Sequence, residues 1–239
     1  MNSDTRTWHR SRRWPPRGRI VFAAVLVLAV FSIIWSVMAS SNTPQRDAHR
    51  GPAPTATLTS SNVVADQLLT SLKLVEPAGV PDYERDLFGG DWGDADRDCE
   101  STRTEVLIRQ SRRTPLISGC EVIDGLWNDP WSQIAITDPT EIDIDHTVPL
   151  ANAWRSGAWH WTTQQRVAFA NDLQDVDALL AVSSSENRAK GDSGPEQWRP
   201  PDRNTWCRYA RSWARTKAKW GLTATRAEWQ ALQNMAATC

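Results

Sequence analysis

The segment Ile142-Asp143-Ile144-Asp145-His146-Thr147-Val148-Pro149-Leu150 constrains this chain more than any other. Its first half alternates apolar and polar residues, which is the period of a β-strand. Ile142 and Ile144 are expected on one side, Asp143 and Asp145 on the other. Pro149 has no N–H to give a sheet ladder, so the strand is expected to end near His146. A carboxylate and an imidazole are therefore neighbours where the chain turns. Asp is a hard oxygen ligand suited to Mg²⁺, and a neutral His is the usual general base near neutral pH. Further along lies Glu186-Asn187-Arg188-Ala189-Lys190-Gly191-Asp192. Asn187 supplies a carbonyl ligand, and Lys190 lies one turn further on if this segment is helical.

The N-terminus reads as an export signal. Residues 1–19 carry six Arg and one Asp, and Ile20 to Trp35 is a charge-free apolar run of sixteen residues. Val37-Met38-Ala39 then has the small-residue pattern of a cleavage site. Residues 20–39 are also long enough to cross a bilayer, so cleaved signal and uncleaved anchor both stay open. Either way the remainder is expected outside the cytoplasm, with membrane contact only through residues 20–39. Residues 40–61 are rich in Ser, Thr, Pro and Ala, which marks a disordered linker. Residues 62–239 are left for one domain with a sizeable core, and a monomer is expected.

Charge is uneven along that domain. The whole chain has a formal charge of −1, and residues 1–39 hold +5, so residues 40–239 hold −6. An acidic balance counts against a nucleic-acid partner. However, residues 199–219 carry seven Lys/Arg and one Asp, whereas residues 82–100 carry eight Asp/Glu and two Arg. A local basic face binds phosphates whatever the total charge. Arg208, Arg211, Arg215 and Lys219 recur at helical intervals and are candidates for a phosphate-tracking face, with an ordinary solvated face as the competing reading.

Four cysteines, Cys99, Cys120, Cys207 and Cys239, all follow the linker. An even count in an exported domain points to two disulfides. Of the three pairings, Cys99–Cys120 with Cys207–Cys239 closes the shortest loops. With no Cys-x-x-Cys, and only His146 and His160 in the domain, a Cys/His zinc site is not expected.

Asn62 to Leu74 carries a helical apolar stripe, and Arg103 to Gln110 fits a strand or a short helix. Cys120 to Ile123 fits a short β piece. A helix is expected after Pro149, another from Thr162 or Thr163 to about Leu173, and a strand at Leu179 to Val182. Ser183 to Ser185 offers caps for a helix bearing Asn187 and Lys190. Asn204 to Trp220 ends at Gly221, and Thr225-Arg226-Ala227-Glu228 is a capping box for the last helix. The fourteen Trp outnumber the six other aromatics and mostly fill the core. Trp154, Trp159, Trp161 and Trp198 flank the proposed site and are the candidates for base stacking.

Several segments together resemble the HNH endonuclease superfamily. They are Asp143 to Trp154, Arg155 to Ala158, Phe169 to Leu173, Leu179 to Ser183, Asn187 to Asp192 and Trp198 to Pro201. They are most similar to the secreted actinobacterial branch related to the C-terminal nuclease domain of modification-dependent restriction enzymes. The resemblance implies an α+β fold with a ββα-metal (HNH-type) core and added helices. It implies hydrolysis of phosphodiester bonds in DNA, with RNA left open as a substrate, and one Mg²⁺ or Mn²⁺ ion. Asp145 and Asn187 are then the metal ligands and His146 the general base. Asn171 orients the base-bearing loop, Lys190 meets the phosphate or developing charge, and Arg188 binds substrate. Non-specific cleavage is expected, because no recognition domain is left over. Two other classes compete: a catalytically idle binding domain on the same fold, and a metal phosphoesterase for a small substrate.

Overall fold

The computed structural model describes residues 60–239. The export segment and all but the last two residues of the expected linker lie outside them. The described chain runs α1 (Ser60–Ser71), α2 (Thr102–Gln110), β1 (Leu116–Ser118), β2 (Glu121–Asp124), β3 (Trp127–Asn128), β4 (Ala135–Ile136) and β5 (Ile142–His146). It continues with α3 (Leu150–Arg155), α4 (Thr163–Ala170), β6 (Leu179–Ser183), α5 (Ser184–Lys190), α6 (Trp206–Trp220) and α7 (Arg226–Ala236). This is the expected α+β class, with the ambiguous segment before the first hairpin settled as helix. Ser101 caps that helix by accepting from the Thr104 N–H.

The strands form three two-stranded ribbons, and the one that matters is β5–β6. It is antiparallel, with Asp143 opposite Val182, Asp145 opposite Leu180 and His146 opposite Leu179. α5 follows β6 directly, its first turn held by Ser183 Oγ, which accepts from the Glu186 N–H. Strand, strand and helix thus make the ββα unit that the resemblance implies.

Both faces of this ribbon are covered. Ile142, Ile144, Leu179 and Ala181 pack on Val106 and Leu107 of α2 and on Trp127. Leu180 and Val182 join the larger core with Trp131, Trp154, Tyr209 and Trp213. Residues directly opposite in an antiparallel pair share a face. Asp143 and Asp145 therefore lie on the larger-core side, and Asp145 is buried. The period-2 reading was correct, but the face opposite the isoleucines is not a solvent face.

A lone ribbon needs its edge closed. Gln110 does this, donating Nε2 to the Leu179 carbonyl at 2.8 Å and accepting from the Ala181 N–H at 3.0 Å. Asp129 Oδ2 accepts from the Ser183 N–H at 2.8 Å. Side chains thus replace a third strand beside β6.

Cys99 pairs with Cys120 and Cys207 with Cys239, as expected. The first bridge ties the acidic loop before α2 to the β1–β2 hairpin, and the second ties the start of α6 to the C-terminus. Such bridges contribute about 2–4 kcal/mol each. α4 opens with a complete Thr162–Gln165 capping box but ends at Ala170, earlier than expected. Thr225 caps α7 through the Glu228 N–H. The Glu228 carboxylate points inward instead of closing the box, and meets Lys217 and Trp213.

Candidate active site at the end of the β5–β6 ribbon

By strand alternation Asp145 and His146 leave β5 on opposite faces. A cavity of about 500 Å³ wraps the strand end and meets both of them. Its walls also include Tyr83, Arg85, Asn187 and Arg188.

The His146 ring is held in three ways. Its Nε2 lies 2.9 Å from the Ala170 carbonyl oxygen. A carbonyl only accepts, so Nε2 carries the proton and Nδ1 carries the lone pair. Trp92 stacks on one side with centroids 5.3 Å apart and planes 15° apart, and Phe169 lies nearly parallel at 6.4 Å. Burial lowers the imidazole pKa to about 3, and the nearby Arg85 and Lys190 charges add to this against the Ala170 hydrogen bond. His146 is neutral at any physiological pH.

Asn171 reaches this arrangement indirectly. It follows Ala170, donates Nδ2 to the Val167 carbonyl at 2.9 Å, and accepts from the Gly93 N–H at 2.8 Å. It therefore fastens the loop bearing Trp92 to the end of α4. Its hydrogen bonds hold the lid and the carbonyl acceptor; they do not hold the loop after His146.

The acidic side of the site is closed. Lys190 is fully buried and donates to Asp145 Oδ1 at 2.6 Å and to the His146 carbonyl at 2.8 Å. Burial pushes the Asp145 carboxyl up and the Lys190 ammonium down, against their mutual attraction. Asp145 Oδ2 is buried and meets the Trp131 side chain, which helps to hold the carboxylate charged against burial. Asn187 donates Nδ2 to Asp143 Oδ2 at 3.0 Å, which leaves its carbonyl oxygen available as a ligand. Arg188 is exposed on the cavity wall. The donor set fits a divalent ion: the Asp145 carboxylate and the Asn187 amide carbonyl are hard oxygen ligands, and both residues line the cavity.

The structure thus brings together Asp145, His146, Asn187, Arg188 and Lys190, with Asn171 one layer behind. It does not bring Arg208, Arg211 or Arg215. Arg208 pairs with Asp177 at 2.8 Å, and Arg215 with Asp175 and Asp177 at 2.8 and 2.7 Å. Lys219 pairs with Asp172 at 2.6 Å, and Arg211 Nε is buried without a partner. The basic face of α6 is largely neutralised by the aspartates of the 172–177 loop. Of the flanking tryptophans, Trp154 is buried and donates to the Pro81 carbonyl, while Trp159, Trp161 and Trp198 pack against the core.

Two residues escaped the sequence reading. Trp92 covers His146, and Arg85 lines both cavities that touch His146. Both come from the acidic 82–100 loop, where nothing local marks them. Asp143 was signalled, since it sits two residues before Asp145 on the same strand face. In the same loop Asp94, Asp96 and Asp98 bring oxygens within 4.8 Å of one another, but all three are exposed.

Comparison with known proteins decides the family. The model of the C-terminal domain of GmrSD restriction endonucleases matches residues 97–235. An uncharacterized secreted protein of Arthroderma benhamiae is 42% identical over 189 residues, covering 79% of this chain and 91% of its own. The chain belongs to the GmrSD C-terminal domain family. The matched span contains the whole ββα unit and both aspartates of β5, whereas Arg85 and Trp92 precede it. As a member of this HNH-type nuclease family, the chain has the fold of a nucleic-acid hydrolase, and such nucleases generally use a divalent metal. No solved structure matches the chain. Among the described residues no helix is long and apolar enough to cross a membrane, and residues 20–39 lie outside them.

Proposed function

We propose that this protein is an exported, divalent-metal-dependent endonuclease that hydrolyses phosphodiester bonds in DNA. The observation that carries this reading is the fixed tautomer of His146. Its Nε2–H is spent on the Ala170 carbonyl, which leaves Nδ1 as a proton acceptor beside a carboxylate and an amide carbonyl. Export is supported by the N-terminal signal pattern and by the secreted relative.

In this mechanism His146 takes a proton from the attacking water. A pKa of about 3 makes it a weak base at rest. An anionic phosphate in the cavity offsets the Arg85 and Lys190 charges and raises its basicity when substrate is present. Trp92 and Phe169 hold the ring plane, and Asn171 holds Trp92. Arg85 and Arg188 line the cavity and bind the phosphate oxygens. Asp145 and Asn187 would hold one Mg²⁺ or Mn²⁺ ion, which supplies charge neutralisation at the leaving oxygen.

The test is nicking of supercoiled plasmid with Mg²⁺, Mn²⁺ or excess chelator. Nicking only with a divalent ion is expected. Full activity in chelator overturns the metal assignment.

A further inference from the structure

The Asp145 carboxylate already has a cation. Lys190 lies on it at 2.6 Å with no exposed side-chain surface, and Lys190 also bonds the His146 carbonyl. The inference below rests on the reading of Asp145 as a metal ligand. With the ammonium in place, the pair carries no net charge to attract a divalent ion, and ion and ammonium would repel at close range. Metal on Asp145 and Lys190 on Asp145 are therefore competing states. The carboxylate's other neighbour is the uncharged Trp131 side chain, so Lys190 is the cation that directly pairs with it. Lys190 also sits at the end of α5 between Arg188 and Gly191, both of which line the cavity.

We propose that Lys190 is a displaceable internal cation. In the metal-free domain it neutralises Asp145 and keeps the site closed. When a divalent ion takes Asp145, Lys190 moves into the cavity and becomes available to the substrate phosphate. Each anion then has its own cation: Asp145 has the metal ion, and the phosphodiester has Lys190. Substrate and metal binding are consequently coupled, because phosphate gives the released ammonium a partner.

The protein contains its own control. Lys217 is equally buried, but it is bonded to Glu228, Ser156 Oγ and the Thr223 carbonyl, and no displacement is expected there. The experiment is amine acetylation of the full chain with acetic anhydride, with and without Mn²⁺, read by peptide mass spectrometry. Free Mn²⁺ is counted in parallel by electron paramagnetic resonance. Without Mn²⁺ both lysines are expected to be protected. With Mn²⁺ bound, Lys190 alone becomes reactive. A Lys190 that is reactive before metal, or still protected when Mn²⁺ is bound, overturns the proposal and leaves the metal reading intact. A second arm compares Mn²⁺ affinity in Lys190→Met, expected to be at least tenfold tighter than wild type; equal or weaker affinity in a folded variant overturns the proposal. If that variant fails to fold, the wild-type labelling still decides. If Mn²⁺ binds neither protein, the metal reading itself fails and the proposal falls with it.

Discussion

Lys190–Asp145 and Lys217–Glu228 are ion pairs of the same length, 2.6 Å, and neither lysine has exposed side-chain surface. They differ in how completely each is satisfied. Glu228 also accepts from Trp213 Nε1, and Lys217 has two further acceptors in Ser156 Oγ and the Thr223 carbonyl. That pair joins α3, α6 and α7. Lys190 has only the Asp145 carboxylate and the His146 carbonyl as acceptors, and its pair borders the cavity that holds His146 and Asn187. Buried charge is expensive unless its lone pairs and protons are all used. The pair whose ammonium has three acceptors holds helices together. The other is free to exchange partners.

The comparison predicts different responses to losing the lysine. Lys217→Met should cost about 3–5 kcal/mol of unfolding free energy, since it strands a buried carboxylate. Chemical denaturation would measure this, and added Mn²⁺ should not restore the loss. Lys190→Met should also destabilise in chelator, but Mn²⁺ should recover much of it. Equal recovery in both variants would erase the distinction drawn here.

Acid should affect the site through His146. Its folded pKa is depressed to about 3 by burial, whereas the unfolded value is 6.5. Between those values the unfolded chain binds a proton that the folded site does not. Stability from this group is thus fully present above pH 6.5 and is lost as pH falls toward 3, at about 1.4 kcal/mol per pH unit. Denaturation midpoints across this range, in chelator, should fall less steeply for His146→Gln than for wild type. Parallel slopes would mean that His146 is not held neutral.

The smallest effects belong to the surface pairs of α6. The Arg208 and Arg215 side chains are 49% and 37% exposed, so Arg208→Ala and Arg215→Ala should each cost under about 1 kcal/mol. DNA affinity should fall less in either than in Arg188→Ala. If the α6 variants lose more affinity, with a shallower salt dependence, that helix contacts phosphate despite its aspartate partners.

Local rules made much of this molecule legible. Alternation placed β5, serine and threonine caps placed the starts of α4, α5 and α7, and loop length chose the disulfides. The cluster of Asp145, His146, Asn187 and Lys190 at the ribbon end was legible as well, because these residues lie in two short segments. Their surroundings were not. Whether the Asp145 face meets water or core depends on helices near both ends of the domain, so its burial and the Lys190 contact had no local signal. Trp92 and Arg85 reach His146 from a distant acidic loop. Asp172, Asp175 and Asp177 neutralise α6 across a tertiary contact, which a helical charge stripe cannot reveal.

The central claim is that His146, fixed by Ala170, Trp92 and Phe169, is the base of a metal-dependent phosphodiester hydrolysis. Single-turnover plasmid cleavage by His146→Ala, measured across Mn²⁺ concentrations, tests it most directly. The account predicts a rate lower by about 10²–10⁴. Mn²⁺ and DNA binding should be largely kept, and extra metal should give little recovery. A His146→Ala protein that cleaves at close to the wild-type rate would contradict the mechanism.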